Sequence, residues 1–319
     1  MKAYQIIDFD TPAKLVDVPA PTPGVGEVLL NVAACGLNFA DLLMQTGQYQ
    51  ERPDLPITLG MEPAGTIAEL GEGVNGFDIG TRVACFASAG GLAQQGVFPA
   101  DRCVPLPANM SFAHAAAFQV AYGTSHVALD HKARLQPGET LLVLGAAGGV
   151  GLTAVEIGKL MGATVIACAR GKDKLAVCKA AGADHLVDSE VDDIREVVKA
   201  LGGADVVYDA VGGDQFNSAM RACNPEARMI VVGFASGEVP QIPANHLLVK
   251  NISVMGYYWG GYLTFRPDIL TDSLRTLLHW YEDGRLHPHV SHQVPLADAE
   301  QAYDLLRSRK STGKVVVTM

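Results

Sequence analysis

The sequence predicts an α/β chain in which a doubly wound parallel-sheet domain is joined to a β-rich domain. Three observations predict it. A strand-like run over residues 141–144 meets the glycine-rich turn Gly145-Ala146-Ala147-Gly148-Gly149-Val150-Gly151, and an amphipathic segment over 152–160 follows. Beyond about residue 120, strands alternate with helices, whereas the residues up to about 119 read as short strands and turns. The chain has 319 residues, which is long for one core and suits two domains.

In chain order, residues 27–33, 65–70 and 81–86 have strand composition, and the cluster Gly71-Glu72-Gly73-Val74-Asn75-Gly76 forms a turn before the third. A helical pattern runs from Ser111, suited to an N-cap, through Ala128. After the strand at 141–144 and its helix, residues 163–169 supply the second strand of a βαβ unit. Helices over 172–181, 191–201 and 214–222 then precede strands at 185–187, 205–208 and 229–232. The apolar stretch 247–255 reads as the strand that ends the sheet. Residues 267–281 and 297–309 read as helices and 314–318 as a last strand.

The turn carries the chemistry. A helix N-terminus offers unbonded backbone N–H groups and a partial positive charge, and residues without side chains let a pyrophosphate approach. Against the dinucleotide fingerprint, Ala146, Gly148 and Gly151 fill the three glycine positions, and the backbone of Ala147, Gly148, Gly149 and Val150 is placed to meet the phosphates. The end of the second strand decides the cofactor. An Asp or Glu there bonds the ribose 2′-OH of NAD and repels a 2′-phosphate. This chain has Ala169, followed by Arg170, Lys172 and Lys174, which points to NADPH with Arg170 as the main phosphate partner and Lys172 or Lys174 assisting.

Composition excludes other classes. Hydrophobic residues make up 49% and charged residues 18%, as in globular proteins. The net charge of −10 argues against nucleic acid or an anionic membrane as partner. The uncharged stretch at 140–155 falls short of the ~18 apolar residues a span needs. No signal-peptide pattern opens the sequence, and the six cysteines are scattered with no C-x-x-C, which suggests reduced thiols and a cytoplasmic setting. A redox sensor would need a resolving cysteine partner, and a purely structural protein would not need the intact glycine turn.

The segments Gly36-Leu37-Asn38-Phe39-Ala40-Asp41 and Gly60-Met61-Glu62-Pro63-Ala64-Gly65 complete a wider pattern with residues 138–159. So do Asp209-Ala210-Val211-Gly212-Gly213, Val232-Gly233-Phe234-Ala235-Ser236-Gly237, Lys250-Asn251-Ile252-Ser253 and Thr312-Gly313-Lys314-Val315-Val316. In these the whole chain resembles the zinc-independent quinone oxidoreductase branch, zeta-crystallin included, of the medium-chain dehydrogenase/reductase superfamily. The resemblance implies a GroES-like β-barrel catalytic domain built from both chain ends (1–119 and 257–319) around an inserted Rossmann domain (120–256). It also implies cofactor contacts from Thr124, Ser189, Gly233, Phe234, Ser236, Tyr257 and Trp259, although the Tyr257-Tyr258-Trp259 trio reads equally well as core aromatics. One departure is Glu156, where the family usually has Gln; on the helix away from the phosphates it is expected to matter little.

Zinc alcohol dehydrogenases of the superfamily supply Cys where this chain has Asn38 and His where it has Met61, and an amide and a thioether are poor zinc ligands. Their third cysteine position falls in residues 120–122, which hold no Cys or His, and no cysteine cluster lies between Cys85 and Cys103. His287, His289 and His292 sit in a Pro-containing stretch that reads as turn rather than metal site. No metal is therefore expected. Oxidising an alcohol wants a Lewis acid, whereas a quinone or conjugated enone accepts hydride with less help because its π system spreads the charge. The expected reaction is hydride transfer from NADPH to a quinone, with 2-alkenals, enones or enoyl thioesters as the alternative acceptors. Asn38 and Tyr49 are the candidate catalytic residues, Asn38 by hydrogen-bonding an acceptor oxygen or ribose and Tyr49, which resembles the family's site tyrosine, by orienting the carbonyl or passing a proton. Asn38 reads alternatively as a helix-start residue, and Asp41 chiefly as a structural hydrogen-bond partner. A homodimer through the free edge at 247–255 is also expected.

Overall fold

The computed structural model describes residues 1–49 and 54–319. They form two compact units, one of Met1–Val120 with Pro288–Met319 and the other of Ala121–His287. The barrel unit is thus built from both chain ends, but the return falls at Pro288, not at 257. Residues 257–287 stay with the nucleotide unit because Tyr257, Trp259, Tyr262, Leu263 and Leu270 pack around Val127.

In the barrel unit the long strand Glu27–Gly36 is the organiser. It pairs antiparallel with Glu62–Leu70, Gln95–Pro99 and the C-terminal strand Lys314–Thr318. Val28, Leu30 and Val32 alternate inward, as period-2 burial requires, against Ile67, Val83, Cys85 and Phe98. A separate three-stranded sheet joins Lys14–Asp17, Lys2–Ile6 and Ile57–Thr58. The register Val316↔Gly36, reinforced by Leu37 N–H donating to Val315 O at 3.0 Å, lays the start of the last strand beside residues 37 and 38.

The nucleotide unit is a six-stranded sheet, parallel throughout. Its spatial order is His185–Asp188, Thr164–Ala169, Thr140–Leu144, Ala204–Asp209, Cys223–Val231 and Ser253–Gly256. Numbered along the chain this is the doubly wound order 3-2-1-4-5-6, which reverses between Thr140–Leu144 and Ala204–Asp209. Leu142, Leu144, Ile166, Val207, Phe216 and Met229 make the core of one face.

Several local expectations change. The single helix expected over 111–128 is two, Phe112–Ala116 and Gln119–His126, followed by a π-helical turn, Val127–Lys132. Ser111 is the N-cap, its hydroxyl accepting from His114 N–H at 3.1 Å. The stretch 247–255 is not one strand. Ala244–Lys250 is helical, Asn251 closes it in the left-handed region (φ 56°), and only Ser253–Gly256 is strand. His-Leu-Leu-Val-Lys suits either state by periodicity, and the Lys250 ammonium fixes the helix by donating to Arg221 O (2.9 Å) and Cys223 O (2.7 Å). Ser253–Gly256 nonetheless ends the sheet, as expected. Among the described residues no helix is long and apolar enough to cross a membrane.

Candidate functional site

The glycine turn follows the first strand of the nucleotide unit, at the point where strand order reverses. Gly145 takes φ +69°. The left-handed residue is therefore one position ahead of the first fingerprint slot, which is why Ala146 is tolerated there, buried with its N–H donating to Cys168 O at 3.0 Å. Gly148 N–H returns to Gly145 O at 3.0 Å and caps the helix Gly149–Leu160. The first amides of that helix have no carbonyl ahead of them to bond, and its first turn holds no acidic residue. Gly151 is fixed by sterics, because a Cβ there would lie 2.2 Å from Gly145 O. These features fit a pyrophosphate, which Ala147, Gly148, Gly149 and Val150 would meet through backbone.

Asp209, buried at the end of the facing strand, folds the second loop. Its carboxylate accepts from Val211 N–H (2.8 Å) and Gly212 N–H (2.9 Å), while burial pushes its pKa up against those bonds. Gly233 N–H bonds Asp209 O, and Ser236 N–H bonds Val211 O at 2.9 Å, so the loop with Gly233, Phe234 and Ser236 lies along the Asp209 turn. The Ser236 hydroxyl accepts from Glu238 N–H at 3.1 Å. Behind the glycine helix, Ser125 and Thr153 share a hydroxyl bond of 2.8 Å, and Ser125 also donates to Val150 O at 2.8 Å. Thr124 lies beside Ser125, and its carbonyl accepts the Tyr257 hydroxyl at 2.9 Å. Trp259 packs its indole where a Gly123 Cβ would stand. Tyr257 and Trp259 thus pack, partly buried, against the cluster of Val127, Tyr262 and Leu270, whereas Tyr258 is exposed.

At the end of the second strand, two turns are stitched together. Ser189 N–H donates to Ala169 O at 3.0 Å, and Asp188 Oδ1 accepts from Gly171 N–H at 2.9 Å, which holds the Asp188 carboxyl below its usual range. The stitching puts Arg170 beside Glu190, with Nε–Oε1 3.8 Å and both side chains about half exposed (49% and 54%). Glu190 was not legible as a neighbour, since nineteen positions of helix and strand intervene. Lys174 lies in the first turn of the helix Lys172–Ala180 that starts here.

In the barrel unit, Asn38 is the N-cap of the helix Phe39–Gln45. Asn38 N–H donates to Asp41 Oδ2 at 2.7 Å; Asp41 is fully buried, and burial pushes its carboxyl up to about 7. This is the structural role expected of Asp41. The Asn38 amide has further partners that sequence reasoning missed: Nδ2 donates to Glu62 Oε2 at 2.8 Å and Oδ1 accepts from Lys314 Nζ at 2.8 Å. Lys314 and Glu62 pair at 2.5 Å with side chains only 5% and 1% exposed, and Glu62 Oε1 accepts Val120 N–H at 2.6 Å. The signal for these two was their place in the quoted motifs, but nothing local showed that they meet. Met61 is buried. Tyr49 is half-buried and precedes residues 50–53, which lie outside the described part.

Glu156 matters more than expected. It is clear of the phosphate turn, yet its carboxylate accepts Tyr122 OH and His287 N–H, each at 2.6 Å, tying both ends of the nucleotide unit to the glycine helix. His289 bonds Thr312 Oγ1 at 2.9 Å and His292 bonds Ser291 Oγ at 3.0 Å. Among the described residues no group of three or more His, Cys, Asp or Glu is arranged to hold a metal.

The comparisons agree with this architecture. Residues 24–108 match an alcohol dehydrogenase GroES-like domain, and residues 149–276 match the domain described as zinc-binding dehydrogenase. Quinone oxidoreductase-like protein 2 homolog of Nematostella vectensis is 41% identical over 300 residues, 92% of this chain and 82% of that protein. The quinone oxidoreductase of Thermus thermophilus, solved alone and with NADPH, superposes with TM-score 0.90 at 35% identity over all of both chains. That of Escherichia coli, complexed with NADPH, gives 0.92 at 28% identity, again over all of both chains. With a doubly wound nucleotide unit, a barrel unit built from both chain ends and relatives matching nearly its whole length, this chain belongs to the quinone oxidoreductase family of medium-chain dehydrogenases/reductases.

Proposed function

We propose that this protein is a zinc-free, NADPH-dependent reductase that passes a hydride to a quinone. The observation that carries the reading is at Asn38. An amide hydrogen-bonded to Lys314 and Glu62 stands where zinc dehydrogenases place a thiolate ligand, in a chain whose dinucleotide turn is intact. When bound, the nicotinamide supplies the hydride. The turn from Ala147 to Val150 would hold the pyrophosphate, Arg170 with Lys174 the 2′-phosphate, and Thr124, Ser189 and the Gly233–Ser236 loop the rest of the nucleotide. Tyr257 and Trp259, partly buried against the Val127 cluster, would border the nicotinamide. Asn38 and Tyr49 orient the acceptor, whose π system takes up the charge. NADPH consumption with quinones, and with conjugated enals, enones and enoyl thioesters in parallel, tests the reading and ranks the acceptors.

Orienting bonds set the size of the mutational effects. Asn38→Ala and Tyr49→Phe should each lower kcat/KM by roughly 10–100-fold, the value of ~1–3 kcal/mol of positioning. Losses beyond ten-thousandfold would mean a chemical role, and no loss in either would move the site elsewhere.

The sheet edge supports a homodimer. Ser253–Gly256 ends the sheet, and beside it Leu248 and Val249 are 78% and 76% exposed on the preceding helix. A second copy of this chain would cover both across a two-fold axis. Light scattering at micromolar concentration should give the dimer mass; a monomer mass would refute this. Six free, buried cysteines suit a reducing, cytoplasmic setting.

A further inference from the structure

The pair Lys314–Glu62 is an unusual thing to bury. Desolvating an ammonium and a carboxylate costs more than a well-packed apolar pair of the same volume, so its presence in a barrel core is weak evidence of stabilisation. Its geometry suggests another use. A lysine ammonium only donates hydrogen bonds, and a carboxylate paired with it only accepts. Lys314 Nζ meets Asn38 Oδ1, and Glu62 Oε2 meets Asn38 Nδ2, both at 2.8 Å. The amide therefore has one permitted orientation: flipped by 180°, it would set N–H against ammonium and carbonyl against carboxylate. The backbone of Asn38 is held as well, by its N–H bond to Asp41 and by the N-cap geometry. Among the hydrogen bonds of the described residues, one Nδ2–H donor of this side chain remains without a partner.

We propose that Lys314 and Glu62 are positioning residues that lock the Asn38 amide so that its remaining Nδ2–H is a fixed donor to the acceptor's carbonyl oxygen. The inference rests on the reading of Asn38 as the residue that orients the acceptor. It assigns a role to a cation that the last strand brings from 276 residues away, through the register that sets Val316 opposite Gly36. A preset donor loses no conformational freedom when the acceptor binds, and that is how a hydrogen bond at this place would raise the rate without a metal.

The double substitution Glu62→Gln/Lys314→Met tests it, because it removes both charges together and leaves neither ion buried alone. The melting temperature should stay within about 5 °C of the parent, since the pair contributes little net stability. NADPH binding, followed by fluorescence, should be unchanged. The value of kcat/KM for the acceptor should fall about tenfold. In an Asn38→Ala background the same double substitution should cost nothing further, because there is no amide left to orient. Should the double variant not fold, the same cycle is run with Glu62→Asp, which keeps a carboxylate beside Lys314 so that neither charge is buried alone, but shortens its reach to Asn38 Nδ2. Undiminished kcat/KM in the double variant overturns the proposal, as does a loss that persists in full on top of Asn38→Ala. Either result differs from a parent protein that reduces no quinone or enone at all, which would instead remove the underlying reading.

Discussion

Gly151→Ala is expected to abolish nucleotide binding and to destabilise the nucleotide unit. The added Cβ would stand 2.2 Å from Gly145 O, 2.8 Å from Gly145 C and 2.9 Å from Ala146 Cα. All three are backbone atoms of the turn, so no side chain can rotate away. Relief requires the helix Gly149–Leu160 to withdraw from the strand Thr140–Leu144, and with it the amides proposed to meet the phosphates. The cost should reach at least the ~3 kcal/mol at the upper end of ordinary overpacking. For a unit of this size that corresponds to a melting temperature lower by roughly 6–12 °C. Thermal scanning and a fluorescence titration with NADPH check both parts. A variant that melts with the parent and binds NADPH within about threefold of it would show that the turn is not the phosphate site.

Arg170 carries the second large effect. Charge-assisted bonds to a phosphate contribute ~1.5–3 kcal/mol each, so Arg170→Ala should weaken NADPH roughly 10- to 150-fold and leave NADH nearly unchanged. Glu190 qualifies the size of this effect. At 3.8 Å it offers Arg170 a carboxylate, and a 2′-phosphate must compete with it. Because both side chains are half exposed, that pair is screened and contributes little by itself, so the phosphate should still win. Ala169→Asp should reverse the preference, since a carboxylate at the end of the second strand repels the 2′-phosphate and accepts from a ribose 2′-OH. The measurement is kcat/KM for both cofactors in parent and variants. Equal use of both by the parent, or equal loss of both in Arg170→Ala, would make Arg170 an ordinary surface residue.

The parts of this fold that are legible in the sequence are those written in local periodicity. The alternation from residue 140 onward implied a parallel sheet, and the helices fell at Gly149–Leu160, Lys172–Ala180, Ile194–Ala200 and Gly213–Ala222, the third starting three residues later than expected. The turn was legible because strand, glycines and helix adjoin. Where periodicity is ambiguous the reading failed: at 244–250 a few apolar residues fit helix or strand, and long-range bonds from Lys250 decided it. The return to the barrel unit was misplaced by thirty-one residues because the Tyr257–Leu270 aromatics satisfy a core on either side equally well on paper. The site followed the same rule. Asn38 was visible as a replaced ligand, but its partners Glu62 and Lys314 come from distant strands whose register is a tertiary fact. Glu190 and the clasp made by Glu156 were hidden for the same reason.

Hydride transfer from NADPH to a conjugated acceptor without a metal is tested most directly by removing any metal. Protein treated with a strong chelator and desalted would be assayed for metal content and for NADPH consumption at 340 nm with a quinone. The expected result is well under one zinc per chain and turnover equal to that of untreated protein, because the amide of Asn38 and the thioether of Met61 are poor zinc ligands and a conjugated acceptor's own π system would carry the charge. Stoichiometric zinc in the untreated protein, with turnover lost on chelation and restored by zinc, would contradict it.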